Sequence, residues 1–246
     1  MNSSIQPVVD KIEIVFEDDL ILAVNKPNNF LIHQSHYARN IVEITLLQKL
    51  ESQLGYPVYP LHRLDRKTSG IILLLKDKSR IAEFQELFSS KTIQKTYYAI
   101  VRGFSPELGE INSPVKEDDN GIYKDALTTF ETLAQIELPI AVNLHNTSRY
   151  SLIKLMPHTG RMHQLRKHMN KINHPIIGDP KYGDRFHNRM FEKEFANTYL
   201  LLHAHKIEFI HPISQQHMKL TADFTDTWKD LLNKFNWEIP TKHYSC

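Results

Sequence analysis

Apolar residues along the first third of the chain fall into short stretches that turn residues separate. Residues 12–24 predict two short strands joined by a Glu-Asp-Asp turn, and residues 41–54 place apolar side chains at close to helical spacing. The run 71–75 is apolar throughout, which is typical of a strand buried on both faces. Ser79 is a suitable cap for a helix that runs to about residue 89.

The rest of the chain continues this mixture of strands and helices. The acidic segment 105–120 holds two prolines and is predicted to be a loop or an insertion, and residues 178–184 are predicted to form a tight polar loop. Because strands and helices do not alternate in regular βαβ units, the pattern favours an α+β fold with a largely antiparallel sheet. Strands are predicted at 97–101, 127–133, 150–156 and 200–210, and helices at 162–172 and 224–235.

The composition limits the class of protein. The chain has 246 residues, of which 41% are hydrophobic and 24% charged, as in a soluble globular protein. The aliphatic run 71–75 is far shorter than the ~20 residues of a membrane helix, and residues 1–10 lack the apolar stretch of a secretory signal. The single cysteine, Cys246, excludes a disulfide framework and a thiolate zinc site, and favours the reducing cytoplasm.

Charge is distributed unevenly along the chain. Residues 60–103 carry a net charge of +5, residues 104–150 carry −5, and residues 154–189 carry +6. Two basic stretches on either side of an acidic one suggest a polyanionic partner, provided that the two stretches meet in space. Ordinary solvated surface charge explains the same pattern.

The segment 62–70 is the densest in chemically useful side chains. Its one carboxylate, Asp65, lies among histidine, arginine and lysine side chains, which favour the ionised form at neutral pH. An ionised carboxylate suits a nucleophile or an electrostatic stabiliser better than a general acid. The structural alternative is an aspartate that caps a turn and pairs with Arg66 at the surface.

A second dense segment covers residues 159–168. A predicted helix whose first turn carries Arg161 and His163 can hold an anion with its free backbone N–H groups. On that helix Arg161 and Leu165 would share one face, and Met162 and Arg166 another. A basic surface helix is the alternative interpretation.

Other kinds of active site are poorly supported. Among the fourteen histidines, His203 and His205 alternate on one predicted strand, but the chain has no HExxH motif and its acids are not interleaved with histidines. Metal catalysis is therefore disfavoured. Glycine is scarce and no phosphate-binding loop is present, so a nucleotide cofactor is not expected, and Ser69 lacks the GxSxG frame of a nucleophilic serine.

Four motifs keep a fixed order between residues 12 and 225. The segment 62–70, with Lys76 after the apolar strand, is the second of them. The others are Asn25-Lys26-Pro27; Lys95-x-Tyr97-x-Ala99 with Gly103; and Gly160-Arg161-x-His163-Gln164-Leu165-Arg166-x-His168 with His174-Pro175-Ile176-x-Gly178-Asp179 and Tyr182-Gly183. In order and spacing they resemble the motifs of the RluA-type pseudouridine synthases. One departure is Asn28-Asn29, where the family has a glycine, and asparagine tolerates the left-handed backbone.

The resemblance implies a pseudouridine synthase fold, with a mixed, largely antiparallel sheet flanked by helices and a central catalytic cleft. It also implies a cofactor-free isomerisation of uridine to pseudouridine in RNA. Asp65 would attack the base or C1′, or stabilise a glycal intermediate, and Arg166 would pair with it. Tyr97 would pack against the base and remove the C5 proton, and Arg63 would fill the gap left by the flipped nucleotide. Substrate contacts are also expected from His62, Thr68, Arg161 and Leu165.

The resemblance extends to one branch of the family, tRNA pseudouridine synthase C, which modifies uridine 65 of certain tRNAs. It rests on residues 178–189 and on the ending with Asp226-Thr227-Trp228 and Phe235-x-Trp237. We expect one catalytic domain over 12–240, with tails at 1–11 and 241–246 and no room for an S4 domain, acting on RNA as a monomer without a membrane or a nucleotide cofactor. The alternatives are an rRNA or another tRNA uridine, a non-catalytic RNA-binding protein and a metal-dependent hydrolase.

Overall fold

The structure, a computed structural model, describes residues 9–34, 43–89, 92–117 and 121–239. The strands within these ranges are β1 (Glu13–Glu17), β2 (Ile21–Lys26), β3 (Tyr59–Pro60), β4 (Ser69–Leu75), β5 (Gln94–Arg102), β6 (Leu108–Asn112), β7 (Val115–Lys116), β8 (Tyr123–Lys124), β9 (Leu127–Leu138), β10 (Ser148–Pro157), β11 (Leu202–Ile210) and β12 (His217–Thr221). The helices are α1 (Leu46–Leu54), α2 (Ile81–Ser89), α3 (Gln164–Lys171), α4 (Arg185–Phe195) and α5 (Asp226–Lys234).

A mixed sheet organises the molecule. Its strand order is β1-β2-β4-β11-β5-β10-β9-β6, with β3 added beside β4 and β12 beside β11. All of these pairings are antiparallel except β4 with β11. The predicted α+β fold with a largely antiparallel sheet is therefore confirmed.

The centre of the sheet holds the segment that leads out of residues 62–70. Every residue of β4 is buried, as the apolar run predicted. Its second residue, Gly70, has a φ of +110°, and a Cβ atom there would lie 2.1 Å from the carbonyl oxygen of Ala204 on β11. Only glycine permits this approach. The close pairing with β11 fixes the position of the polar loop immediately before β4.

Two predicted helix starts were wrong. The helix predicted at 41–54 begins at Leu46, because Thr45 and Gln48 form a capping box, and residues 41–42 lie outside the described residues. The second helix is capped by Asp77 rather than Ser79. The Asp77 carboxylate accepts hydrogen bonds from both the backbone N–H and the hydroxyl of Ser79, and a 3₁₀ helix (Lys78–Arg80) then precedes α2.

The acidic segment 105–120 is not simply a loop. Within its described part, β6 extends the sheet beside β9, and β7 forms a hairpin with β8. Three further elements, β3, α4 and β12, were also missed. Helix α4 starts directly after the predicted loop 178–184, where the Asp184 carboxylate caps it by accepting from the N–H groups of Phe186 and His187.

Buried apolar side chains fasten the helices to the sheet. Leu165 and Met169 attach α3 to strands β5 and β10, while Phe191 of α4 and Trp228 of α5 belong to a second apolar cluster that includes Tyr150 of β10. Among the described residues, no helix has the length and apolar character that crossing a membrane requires.

Candidate active site

One cleft gathers the residues that the sequence singled out. It has a volume of about 720 Å³, and its walls are the loop before β4, the start of β5 and the turn that leads into α3. A cavity of this size lies within the ~300–1,000 Å³ typical of small-molecule sites. The two basic stretches therefore do meet in space. All eight candidates line the cleft: His62, Arg63, Asp65, Thr68, Tyr97, Arg161, Leu165 and Arg166.

Asp65 is held from one side only. Its Oδ2 atom accepts a hydrogen bond of 3.0 Å from Nη1 of Arg166 and lies 3.7 Å from Nε2 of His163. Among the described residues, no hydrogen bond reaches its Oδ1 atom, and the side chain keeps 18% of its surface exposed. The alternative pairing with Arg66 is wrong, because Arg66 instead forms an ion pair with Glu43 at 2.5 Å.

Arg166 is fixed by a second, buried carboxylate. Its Nε and Nη2 atoms donate to the two oxygens of Asp179 at 2.7 and 2.8 Å, a bidentate arrangement that sets the plane of the guanidinium. Burial raises the pKa of Asp179, but the hydrogen bonds and charge of Arg166 outweigh burial and lower the pKa overall. The same contacts raise the pKa of Arg166 against the effect of burial. Arg166 thus enters the cleft as a permanent, oriented cation.

The start of α3 differs from the prediction. The helix begins at Gln164 rather than 162, so Arg161 and Leu165 are not neighbours on one helical face. The Gln164 amide is buried: its oxygen accepts from the Thr159 hydroxyl and the Arg161 N–H, and its nitrogen donates to Leu127 and Thr128. This network locks the turn before the helix. The Arg161 side chain contacts the segment before β9, where its Nε donates to the Asp125 carbonyl at 3.1 Å.

Residues of the first motif support the catalytic loop from behind. Lys26 is fully buried, and its Nζ donates to three carbonyl oxygens, those of Pro27, Phe30 and Arg66. Burial lowers the pKa of Lys26 to about 7, and the nearby Asp65 carboxylate opposes that shift. The Asn28 amide donates to the Lys67 carbonyl at 2.6 Å. Asn29 has a φ of +62°, so asparagine does take the left-handed backbone here.

Tyr97 enters the cleft from β5, and its side chain is partly exposed. Burial of the phenol, reinforced by the negative charge of Asp65, raises the pKa of Tyr97. In the free protein Tyr97 is therefore a neutral phenol at physiological pH. It can pack against a base and donate a hydrogen bond, and it can accept a proton only as it gives up its own.

The other candidates divide between the wall and the mouth of the cleft. His62 Nε2 accepts from the Leu73 N–H at 3.0 Å, and burial lowers the pKa of His62 to about 3, so its ring is neutral. The buried Thr68 closes the loop by donating its N–H to the Asp65 carbonyl at 3.1 Å. Leu165 is buried beneath the cleft, whereas Arg63 is exposed at its surface.

Of the two histidines on β11, His203 belongs to the core, whereas His205 is partly exposed and stacks on Phe224. His203 is fully buried, its Nδ1 lies 2.9 Å from the Ser69 hydroxyl, and its Nε2 lies 3.3 Å from the Ala222 carbonyl. Ser69 is therefore a partner of His203 and lies within β4. In the part of the chain that the structure describes, no group of three or more His, Cys, Asp or Glu side chains is placed to hold a metal ion.

Comparisons with known proteins identify the architecture. Residues 20–171 match the family model described as RNA pseudouridylate synthase. The chain belongs to this family. It is 39% identical over 237 residues to tRNA pseudouridine synthase C of Vibrio cholerae, covering 92% of this chain and 97% of that protein. It is 40% identical over 243 residues to tRNA pseudouridine synthase C of Pasteurella multocida, covering 94% and 99%.

A solved structure supports the same fold for this chain. Human RNA pseudouridylate synthase domain containing 4 superposes with a TM-score of 0.70 at 24% identity, covering 93% of this chain and 95% of that one. At that identity the likeness concerns the fold. The pseudouridine synthase fold expected from the motifs is thereby confirmed.

Two contributions to the site were not assigned from the sequence, although both lie in the quoted motifs. Asp179 orients Arg166, and Tyr182 lies beside it with its ring centre 5.2 Å from the guanidinium carbon. Both residues are part of the fourth motif, as Gly178-Asp179 and Tyr182-Gly183, and that motif was the available signal for a role in the site. A Cβ at Gly183 would lie 2.2 Å from the Asp179 carbonyl oxygen, so the glycine allows the loop to fold tightly behind the arginine.

Proposed function

We propose that this protein converts a uridine of tRNA to pseudouridine, with Asp65 as the catalytic carboxylate. The observation that carries the proposal is the half-engaged Asp65, with one oxygen bound to Arg166 and the other unbonded among the described residues, in a cleft lined by both basic stretches. The relatives at 39% and 40% identity, both called tRNA pseudouridine synthase C, support tRNA as the substrate.

The reaction needs three changes that leave no net oxidation. The bond between C1′ and N1 breaks, and a bond between C1′ and C5 forms. C5 loses its proton, and N1 gains one. A base inside an RNA helix is out of reach, so the nucleotide must first turn out of the stack, at a cost of a few kcal/mol. The cleft of about 720 Å³ is large enough to admit a single nucleotide.

Each cleft residue has a role in that sequence. Asp65 attacks C1′ or the base, or stabilises the detached sugar as a glycal forms, through the oxygen that Arg166 leaves free. Arg166 pairs with the carboxylate and orients it. Tyr97 packs against the detached base. Because burial and the charge of Asp65 keep its phenol protonated, Tyr97 takes the C5 proton only as it passes its own phenolic proton on, so that N1 gains a proton and the phenol is restored.

The basic residues at the mouth bind the RNA. Arg63 is exposed there, and a planar guanidinium can occupy the space that the flipped base vacates. Arg161 lies across the cleft, where it can contact phosphate. His62 and Thr68 shape the loop, and Leu165 forms the apolar floor.

The resemblance to the tRNA pseudouridine synthase C branch also suggests the position modified in tRNA, the extent of the catalytic unit, the oligomeric state and the location. We propose position 65 of tRNA as the target, one catalytic unit over residues 12–240, a monomeric state and a cytoplasmic location. Every strand and helix of the described part lies between residues 13 and 234, which supports the single unit.

The test uses tRNA transcripts labelled with tritium at C5 of uridine, incubated with the protein in the presence of EDTA. The expected result is release of one tritium per tRNA molecule by the wild type and none by Asp65→Ala, with sequencing of the product locating the pseudouridine. Release from rRNA alone would contradict the tRNA substrate. No release from either RNA by a folded protein that binds RNA would contradict the isomerase.

A further inference from the structure

A second side chain, besides Arg166, points at the Asp65 carboxylate. His163 Nε2 lies 3.7 Å from Asp65 Oδ2, the same oxygen that Arg166 contacts. The other ring nitrogen, Nδ1, lies 3.1 Å from the Tyr182 hydroxyl. Tyr182, His163 and Asp65 therefore form a connected row that ends at the reacting carboxylate, and the proposed reaction has so far used only the last of them.

Electrostatics decides which ring nitrogen of His163 carries the proton. Burial is the main cause of a raised pKa at Tyr182, so its phenol keeps its proton and can donate to Nδ1. The opposite tautomer would aim the lone pair of Nε2 at an anionic carboxylate, which is repulsive. The favoured arrangement is thus Tyr182 O–H to Nδ1, and Nε2–H to Asp65.

The neutral imidazole is the relevant form near neutral pH. Burial is the largest effect and lowers the pKa of His163, and it prevails over the nearby Asp65 carboxylate, which raises that pKa. Of the other charged groups that face the ring, Arg166 and Lys167 lower the pKa and Asp179 raises it. His163 can therefore supply a hydrogen bond to Asp65 without adding a second full positive charge beside Arg166.

The backbone of His163 is also unusual. The residue has a φ of +56° and a ψ of +25° at the N-terminal boundary of α3, yet its side chain caps none of the helix N–H groups. Glycine or asparagine adopts this left-handed conformation with less strain. The conformation directs the imidazole away from the helix and into the cleft, where it reaches Asp65 and Tyr182.

We propose that His163, oriented by Tyr182, is a positioning residue for Asp65 that holds Oδ2 together with Arg166 and so leaves Oδ1 aimed at the substrate. The 3.7 Å separation is longer than a hydrogen bond. Catalytic hydrogen bonds are often long in the free enzyme and shorten when the substrate binds. This inference rests on the proposed function and adds a residue that controls its rate.

Two substitutions separate this role from a purely structural one. A glutamine amide reaches as far as Nε2 and can still donate to Asp65, whereas an asparagine amide reaches only as far as Nδ1 and can still meet Tyr182. Asparagine is also the better residue for the left-handed backbone. A structural role therefore favours His163→Asn, and the positioning role favours His163→Gln.

The measurement is the single-turnover rate of tritium release from C5-labelled tRNA, with tRNA affinity measured separately by filter binding. We expect His163→Asn to slow the reaction about 10- to 100-fold with tRNA affinity within about twofold of wild type, since a misplaced reacting group costs rate rather than binding. His163→Gln should stay several-fold faster than His163→Asn. Equal rates, or a faster His163→Asn, would overturn the proposal.

Tyr182→Phe supplies a second check through a double-mutant cycle with His163→Gln. If Tyr182 acts through His163, Tyr182→Phe slows the wild type but adds little to His163→Gln, whose amide no longer reaches the phenol. If the effects of Tyr182→Phe and His163→Gln on the rate multiply in the double variant, the proposal is overturned. Release by wild type with the wrong order of variants contradicts this inference alone, whereas no release by wild type contradicts the proposed function and this inference with it.

Discussion

Two loops present an aspartate to the Arg166 guanidinium, and the two carboxylates differ in their exposure and in the number of hydrogen bonds that they accept. Asp179, in the loop before α4, is 1% exposed and accepts two hydrogen bonds from Arg166 and two from the backbone N–H groups of Lys181 and Tyr182. Asp65, in the loop before β4, is 18% exposed and accepts one hydrogen bond, from Arg166.

The difference separates an anchor from a reagent. A carboxylate that already accepts four hydrogen bonds has little capacity left for a substrate, whereas one with a free oxygen can act on it. Arg166 links the two: Asp179 fixes its plane, and that plane brings Nη1 to Asp65. We therefore assign stability to the Asp179 loop and chemistry to the Asp65 loop.

The largest effect is expected for Asp65→Asn. This substitution keeps the shape of the side chain and removes its charge, so turnover should fall by at least about 10⁴-fold, as when other enzymes lose a covalent or charge-stabilising group. Affinity for tRNA should stay within a few-fold of wild type. Tritium release and filter binding measure the two quantities. A rate within tenfold of wild type would remove Asp65 from the chemistry.

Arg166→Lys tests the link between the two loops. Three nitrogen atoms of Arg166 serve two carboxylates, and a single ammonium cannot reproduce that fork. We expect the single-turnover rate to fall by about 10²- to 10³-fold, with a smaller change in tRNA affinity. Equal losses of rate and affinity would mean that Arg166 acts mainly as a phosphate contact.

Tyr97→Phe sharpens the division of roles within the cleft. The variant keeps the aromatic ring that packs against the base and removes the hydroxyl that takes the C5 proton. Loss of one acid–base group typically costs about 10²- to 10⁴-fold in rate, here with binding of tRNA preserved. A release rate close to wild type would show that another group takes that proton.

The pH dependence of stability concerns two histidines whose rings contact β4, His62 and His203. Burial lowers the pKa of His62 and of His203 to about 3, from an ordinary value of 6.5. The unfolded chain therefore binds more protons between pH 6.5 and 3, and the free energy of unfolding falls as pH drops through that window. Each histidine contributes up to about 1.4 kcal/mol per pH unit.

Urea titrations at several pH values measure this slope. His203→Gln is the matched control, since it retains side-chain hydrogen-bonding groups near Ser69 but cannot titrate, and its slope should be shallower than that of wild type. A wild-type stability that stays flat from pH 6.5 to 4 would contradict the neutral state of both histidines.

The sequence predicted the elements whose signal is local. Alternating or continuous apolar stretches identified β2, β4, β10 and β11, and the composition and motif order indicated the fold. Strands β3, β7 and β8 have two residues each, too few for any periodicity. Helix α4 was missed although Asp184 and the apolar positions 186, 190, 191 and 195 provide a cap and helical spacing.

Only the site residues whose roles the family motifs assign could be predicted from the sequence. Asp65 and Arg166 are 101 residues apart, so their pairing came from the family resemblance and not from any local pattern. The roles of Lys26 and Asp179 depend on buried contacts that no spacing reveals. The left-handed backbone of His163 precedes a helix that starts two residues later than predicted, and it aims the imidazole at Asp65. It is likewise a property of the folded loop.

The most direct test of the division between anchor and reagent is the free energy of unfolding of Asp179→Asn and Asp65→Asn, measured side by side in urea at neutral pH. Asp179→Asn leaves a buried guanidinium without its bidentate partner, and we expect a loss of about 3 kcal/mol or more. Asp65→Asn breaks one partly exposed pair, and we expect a loss of less than about 1 kcal/mol. Equal losses, or a larger loss for Asp65→Asn, would contradict the account.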